Sequence, residues 1–161
     1  KDRHSMVIKN TKKISDSFME NISYMDRTLP VGKSFDLIKR TIEIGERKAV
    51  LYFIDGFVKD EAMLKLMDSF MGVTKEAMPK EAEMFSQRHV PYIEVDVLKD
   101  FDQVLRNVLS GVTCLFIEGY AACIAIDTRT YPARSVEEPD KDKSLRGSRD
   151  GFVETSYLIQ R

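Results

Sequence analysis

The 161-residue sequence has no tryptophan, two cysteines, five prolines and eight glycines. Two cysteines cannot build a disulfide framework, and such sparse Pro and Gly exclude a collagen-like or low-complexity chain. No apolar run approaches the roughly 20 residues that a membrane-spanning helix needs. The longest covers only residues 120–126, so the chain as it stands is expected to be soluble. Neither sign of charge dominates: 25 Lys and Arg stand against 26 Asp and Glu, for a formal net charge of -1. No overall basic field recommends nucleic acid as a partner. The basic first residues run into the polar stretch 10–16 and not into an apolar h-region, so no signal-peptide layout is read in them. With 43% hydrophobic and 32% charged residues, what is present suits a globular unit with a real core.

Ile14, Phe18, Ile22 and Met25 recur at helical spacing, which predicts a docking helix that Leu29, Pro30 and Gly32 end. Ile38, Ile42 and Ile44 alternate with polar residues, and Gly45-Glu46-Arg47 separates that strand from the apolar run 49–54. Asp60 is the expected cap of a helix carrying Met63, Leu66, Met67 and Phe70, with Gly72 as its stop. A looser helix over 80–87 precedes a strand over 92–97. A further helix places Phe101, Val104, Leu105, Val108 and Leu109 on one side before Gly111. Residues 112–117 and 120–126 flank Glu118-Gly119 and read as a β-hairpin. Strands alternating with helices, with hairpins at two points, predict an α/β sandwich: a mixed sheet with β-hairpins and helices packed on it. The expected division is an N-terminal docking helix and linker over 1–33, an α/β lobe over 34–127, and a charged connector with a terminal helix over 128–161.

Asp55, Asp96 and Asp127 each fall near the carboxyl end of an apolar strand, where ligand and metal sites of α/β sheets form. The competing reading is that each carboxylate turns the chain by accepting backbone N–H bonds. That reading is preferred, because no nucleophile, general base or second ligand accompanies them. His4 and His89 lack partners at zinc-ligand spacing, and neither G-x-G-x-x-G nor G-x-x-x-x-G-K-[ST] occurs. No metal, cofactor or catalytic residue is therefore expected. Cys114 and Cys123 sit in apolar runs and are read as small hydrophobes, with a disulfide across the hairpin as the lesser alternative.

The discriminating segment lies in the connector. Arg134-Ser135-Val136-Glu137-Glu138-Pro139 is followed by Arg146-Gly147-Ser148-Arg149-Asp150-Gly151-Phe152-Val153-Glu154. Arg134, Arg146 and Arg149 can pair with Glu137, Glu138, Asp150 and Glu154, and Gly147 and Gly151 open backbone conformations closed to other residues. A rigid joint would result. The bland alternative is a solvated loop of ion pairs contributing about 0–1 kcal/mol each. The segment resembles the signature of the GerA family of spore germination proteins. Residues 49–56, 108–111 and 117–119 are similar to that family's first strand, helix end and hairpin, so the resemblance covers roughly 34–154. The variant Arg129-Thr130-Tyr131-Pro132-Ala133-Arg134, with residues 31–36, looks closer to a sporulation branch of the family than to its nutrient-receptor A subunits.

The resemblance implies a soluble N-terminal region of two related α/β subdomains, followed by membrane-spanning helices, in the spore inner membrane. This chain would be the first subdomain and the connector, on the cytoplasmic (spore core) side. The implied role is non-catalytic: subunit assembly and transmission of a signal to ion release during germination. The connector residues Arg134, Glu137, Glu138, Pro139, Arg146, Gly147, Arg149, Asp150, Gly151, Phe152 and Glu154 would form the interdomain interface. Implied partners are the other membrane subunits of a germination complex, further copies of the chain, and the membrane through segments outside it. The alternative is a sensor domain that binds a small-molecule germinant.

Overall fold

The computed structural model describes residues 12–30, 36–91 and 94–129. Along them run helix α1 (Phe18–Thr28), strands β1 (Leu37–Ile44) and β2 (Arg47–Ile54), helix α2 (Asp60–Met71), a 3-10 turn (Lys75–Ala77) and helix α3 (Ala82–His89). Strand β3 (Val95–Leu98), helix α4 (Phe101–Leu109) and strands β4 (Thr113–Ile117) and β5 (Cys123–Ile126) complete them. The five strands form one sheet in the order β1-β2-β4-β5-β3. The α/β layering, the hairpins and the helices on the sheet agree with the sequence expectation. Among the described residues every ladder is antiparallel, so the sheet is not the mixed one expected: β3 joins at the outer side of β5, and no helical crossover sets two parallel strands side by side.

Strands β2, β4 and β5 are apolar at nearly every position because both faces of the sheet are covered. On one face Ala49, Leu51, Phe53, Leu115, Ile117 and Ile124 pack with Ala62, Leu66 and Phe70 of α2 and Phe85 of α3. On the other, Val50, Tyr52, Cys114, Phe116 and Cys123 pack with Met25 of α1 and Phe101, Val104 and Val108 of α4. The two cysteine thiols are free and buried. Burial, and then the neighbouring Cys114, push the Cys123 thiol well above its ordinary value. The β1–β2 hairpin closes over two residues, Gly45 and Glu46, both at positive φ (56° and 65°). This is the left-handed geometry that matches strand twist, and at Glu46 it costs about 1 kcal/mol.

Several local expectations shift. Ile14 is not on α1: Ser17 caps that helix, its hydroxyl accepting from the Glu20 N–H. Ile14 instead sits in an extended segment whose N–H donates to Lys99 O at 2.9 Å, though its side chain joins the same core. The cause is the buried Asn21. Its Oδ1 accepts from the Ser15 N–H at 3.0 Å, and its Nδ2 donates to Ser15 O at 2.9 Å, which holds the chain in a turn. Asp60 is the first helical residue of α2 and Lys59 the cap position. Leu109 is 47% exposed and not on the buried face of α4. Tyr120, Ala121 and Ala122 form loop ahead of β5, and the Tyr120 hydroxyl donates to Pro79 O at 2.6 Å. Strand β3 starts at Val95, and residues 92–93 lie outside the described residues.

Candidate functional site

Each of β2 and β5 is antiparallel to β4, so the two run the same way and end at one edge of the lobe. There the chain leaves the sheet toward the connector. Asp127 follows the last residue of β5, and its N–H donates to Glu94 O at 3.1 Å. Its Oδ1 accepts from the Arg129 N–H at 3.2 Å and from Nε at 2.8 Å, and its Oδ2 accepts from Nη2 at 2.8 Å. The remaining arm of the guanidinium, Nη1, donates to Ser110 O at 3.1 Å. The Arg129 guanidinium holds the Asp127 carboxyl below its usual range, against an opposing push from burial.

Thr128, between these two, is fully buried. Its hydroxyl lies 2.6 Å from that of Thr113 at the start of β4, and its carbonyl accepts from the Lys59 N–H at 3.4 Å. Gly111, at φ 103°, lets the Phe57 ring and the Arg129 side chain close over the backbone; a Cβ there would stand 3.1 Å from Arg129 Cδ and collide with the ring. Residues 127–129 are thus clamped to the β2–α2 and α4–β4 loops. In the Arg129–Asp127 pair the arginine is exposed and the aspartate half-buried, at 44% and 18% of the side chains, so it contributes only about 1 kcal/mol. Its effect is to hold Arg129 against the α4–β4 loop. It offers no nucleophile and no free acid or base.

The three aspartates are not brought together as a ligand set. Asp127 is occupied by Arg129. Asp55 is exposed, with its N–H donating to Asp36 O at 2.7 Å. Asp96 is exposed on β3 opposite Ala125. Among the described residues no group of three or more His, Cys, Asp and Glu is placed to hold a metal ion. His89 lies against Phe85 with ring centroids 5.1 Å apart and planes tilted by 49°, its Nε2 buried and without a hydrogen-bond partner among the described residues. The connector residues at 134–154, and His4, lie outside the described residues.

Sequence reasoning missed Arg129. The available signal was its position two residues after a carboxylate at a strand end. It also missed the tie between α1 and the sheet, where Tyr52 Oη donates to Asp26 Oδ1 at 2.9 Å and Lys39 Nζ donates to Oδ2 at 2.7 Å. Nothing local in the sequence announces that tie. A second feature is an open cleft of about 250 Å³ beside the start of α3, lined by Lys80, Glu81, Glu83, Lys99 and the loop 119–122. Across it Lys99 Nζ stands 3.2 Å from Glu83 Oε2.

Residues 24–158 match the family described as Bacillus/Clostridium GerA spore germination protein. Stage V sporulation protein AF of Bacillus subtilis (strain 168) is 31% identical over 136 residues, covering 84% of this chain and 28% of that protein. Spore germination protein KA of the same strain is 27% identical over 146 residues, covering 88% of this chain and 26% of that protein. Of these two the sporulation protein is the more similar, in the order expected from the sequence. The crystal structure of the N-terminal domain of the A subunit of the Bacillus megaterium spore germinant receptor GerK3 superposes with a TM-score of 0.60 at 21% identity, over 74% of this chain and 49% of that chain. The chain therefore spans about a quarter of the curated relatives it matches.

Proposed function

Because this chain belongs to the GerA family of spore germination proteins, we propose that it is the first lobe of a two-lobed soluble region in a spore inner-membrane protein. In this proposal the lobe performs no catalysis. It assembles with other germination subunits on the spore-core side of the membrane and passes conformational change toward ion release. The division into 1–33, 34–127 and 128–161 belongs to the same proposal, with residues 134–154 as the interdomain joint.

The observation that carries it is the clamp at the end of β5. Asp127, Thr128 and Arg129 are held by Glu94, Thr113, Lys59 and Ser110, so the last described residues before the connector are fixed to the lobe. A lobe that transmits motion needs a fixed lever there, whereas a lobe tethered by a flexible linker does not. A second reading, germinant sensing, draws support from the cleft beside α3, whose lysines and glutamates could meet both ends of a zwitterion. Isothermal titration of the complete N-terminal region with amino acids and with sugars separates the two. We expect no saturable heat; saturable micromolar binding would overturn the assembly role in favour of the sensor.

A further inference from the structure

The two outer strands of the sheet are β1 and β3, and the edge of β1 is the long one, at eight residues. Among the described residues no element pairs with its outer side. The two-residue loop closes on a hydrogen-bonded pair, Ile44 with Arg47. Alternation along the ladder then turns the main-chain N–H and C=O groups of Leu37, Lys39, Thr41 and Glu43 outward. This stretch carries neither proline nor a bulge to discourage pairing. Arg40, Thr41 and Glu43 are exposed, and Ile38 and Ile42 are only half-buried.

The sequence of this edge is complementary to itself. In an antiparallel pairing of two copies centred on Thr41, Lys39 of each faces Glu43 of the other, its ammonium already bonded to Asp26 Oδ2 of its own chain and gaining a second carboxylate, while Thr41 faces Thr41 and Ile38 faces Ile44. In that register the outward-turned groups of Lys39, Thr41 and Glu43 meet one another, and only Leu37 lies opposite Gly45 of the turn. Moving the centre to Arg40 would oppose two guanidinium groups, and moving it to Ile42 would leave Lys39 opposite Gly45. Opposite charges and paired threonines directly across an antiparallel ladder are favourable, and like charges are not. We infer that β1 is a docking edge for a second copy of this chain, joined about a two-fold axis through Thr41 so that one sheet continues across both copies. Edge pairing alone buries little area, so the dimer is weak and dependent on concentration.

Sedimentation of the 161-residue chain over a series reaching millimolar concentration tests this. We expect reversible dimerisation that Glu43→Lys weakens by about tenfold, because the axis makes two like-charge pairs from one substitution. An equimolar mixture of Glu43→Lys and Lys39→Glu chains should dimerise again, since each lysine then faces a glutamate. Thr41→Pro removes an outward N–H without touching the β2 ladder and should abolish the dimer while circular dichroism stays native. Hydrogen exchange should show the Thr41 and Glu43 amides gaining protection only as concentration rises. A strict monomer, a dimer indifferent to Glu43→Lys and Thr41→Pro, or protection of those amides in the dilute monomer would each overturn the inference.

Discussion

Replacing Tyr52 by Phe removes a single hydroxyl from the middle of the sheet, and its effect should change sign with pH. The ring is fully buried, and the hydroxyl donates to Asp26 Oδ1 at 2.9 Å. A hydrogen bond to a charged acceptor contributes about 1.5–3 kcal/mol when both ends are dry. The Asp26 side chain is 40% exposed, so water replaces part of the lost bond, and the cost of Tyr52→Phe at neutral pH should be about 1 kcal/mol. Burial first, and then the Asp26 carboxylate, push the Tyr52 hydroxyl far above its ordinary value of 10.0. The unfolded chain thus releases this proton near pH 10 while the folded chain keeps it. The associated stability is complete below about pH 10 and falls as pH rises, by about 1.4 kcal/mol at pH 11 for one such group. The Tyr52→Phe chain has no proton to lose there. Urea unfolding followed by circular dichroism should find it about 1 kcal/mol less stable at pH 7 and equal or slightly more stable at about pH 11. Tyr120, also raised by burial, is present in both chains and cancels in the difference. An offset that stays constant from neutral to alkaline pH would refute the reasoning.

Glu46→Gly relieves a positive-φ side chain in the β1–β2 turn and should raise stability by about 0.5–1 kcal/mol, or Tm by about 1–3 °C, in a calorimetric scan. Burial holds His89 below its ordinary value of 6.5, so the stability it contributes is present above that pH and lost as pH falls through the folded value. The drop in Tm between about pH 7 and pH 5 should accordingly be smaller in His89→Leu. Cys114 and Cys123 are wholly buried and should react with a thiol reagent only after denaturant is added; rapid labelling of the native chain would place at least one thiol near the surface.

The helices and the first hairpin were legible because their signals are local. The apolar stripe of α4 lies within one short stretch, and the Gly45-Glu46 turn announces itself between two apolar runs. What was not legible depends on distant partners. Ile14 fits the helical period of α1 but obeys the ladder to Lys99 and the turn that Asn21 builds around Ser15. Tyr120 looks like strand, yet its hydroxyl bonds to Pro79 and the Arg47 guanidinium lies 5.3 Å above its ring. Strands covered on both faces lose their alternation, so the sequence alone could not assign Tyr52 to the α1 side or Leu51 to the α2 side. At the candidate site Asp127 was visible as a strand-end carboxylate, while its engagement by Arg129 and the Ser110 carbonyl needed three dimensions.

Germination measured in spores whose full-length protein carries Arg146→Ala or Glu138→Ala, beside thermal melting of the 161-residue chain with the same substitution, addresses most directly the proposal that the lobe acts through its joint. Exposed ion pairs add little to stability, so the melting temperature should be nearly unchanged while ion release during germination is slowed. Germination at the normal rate with either substitution, or a lobe that melts well below the parent chain, would show that these residues do not act as a joint.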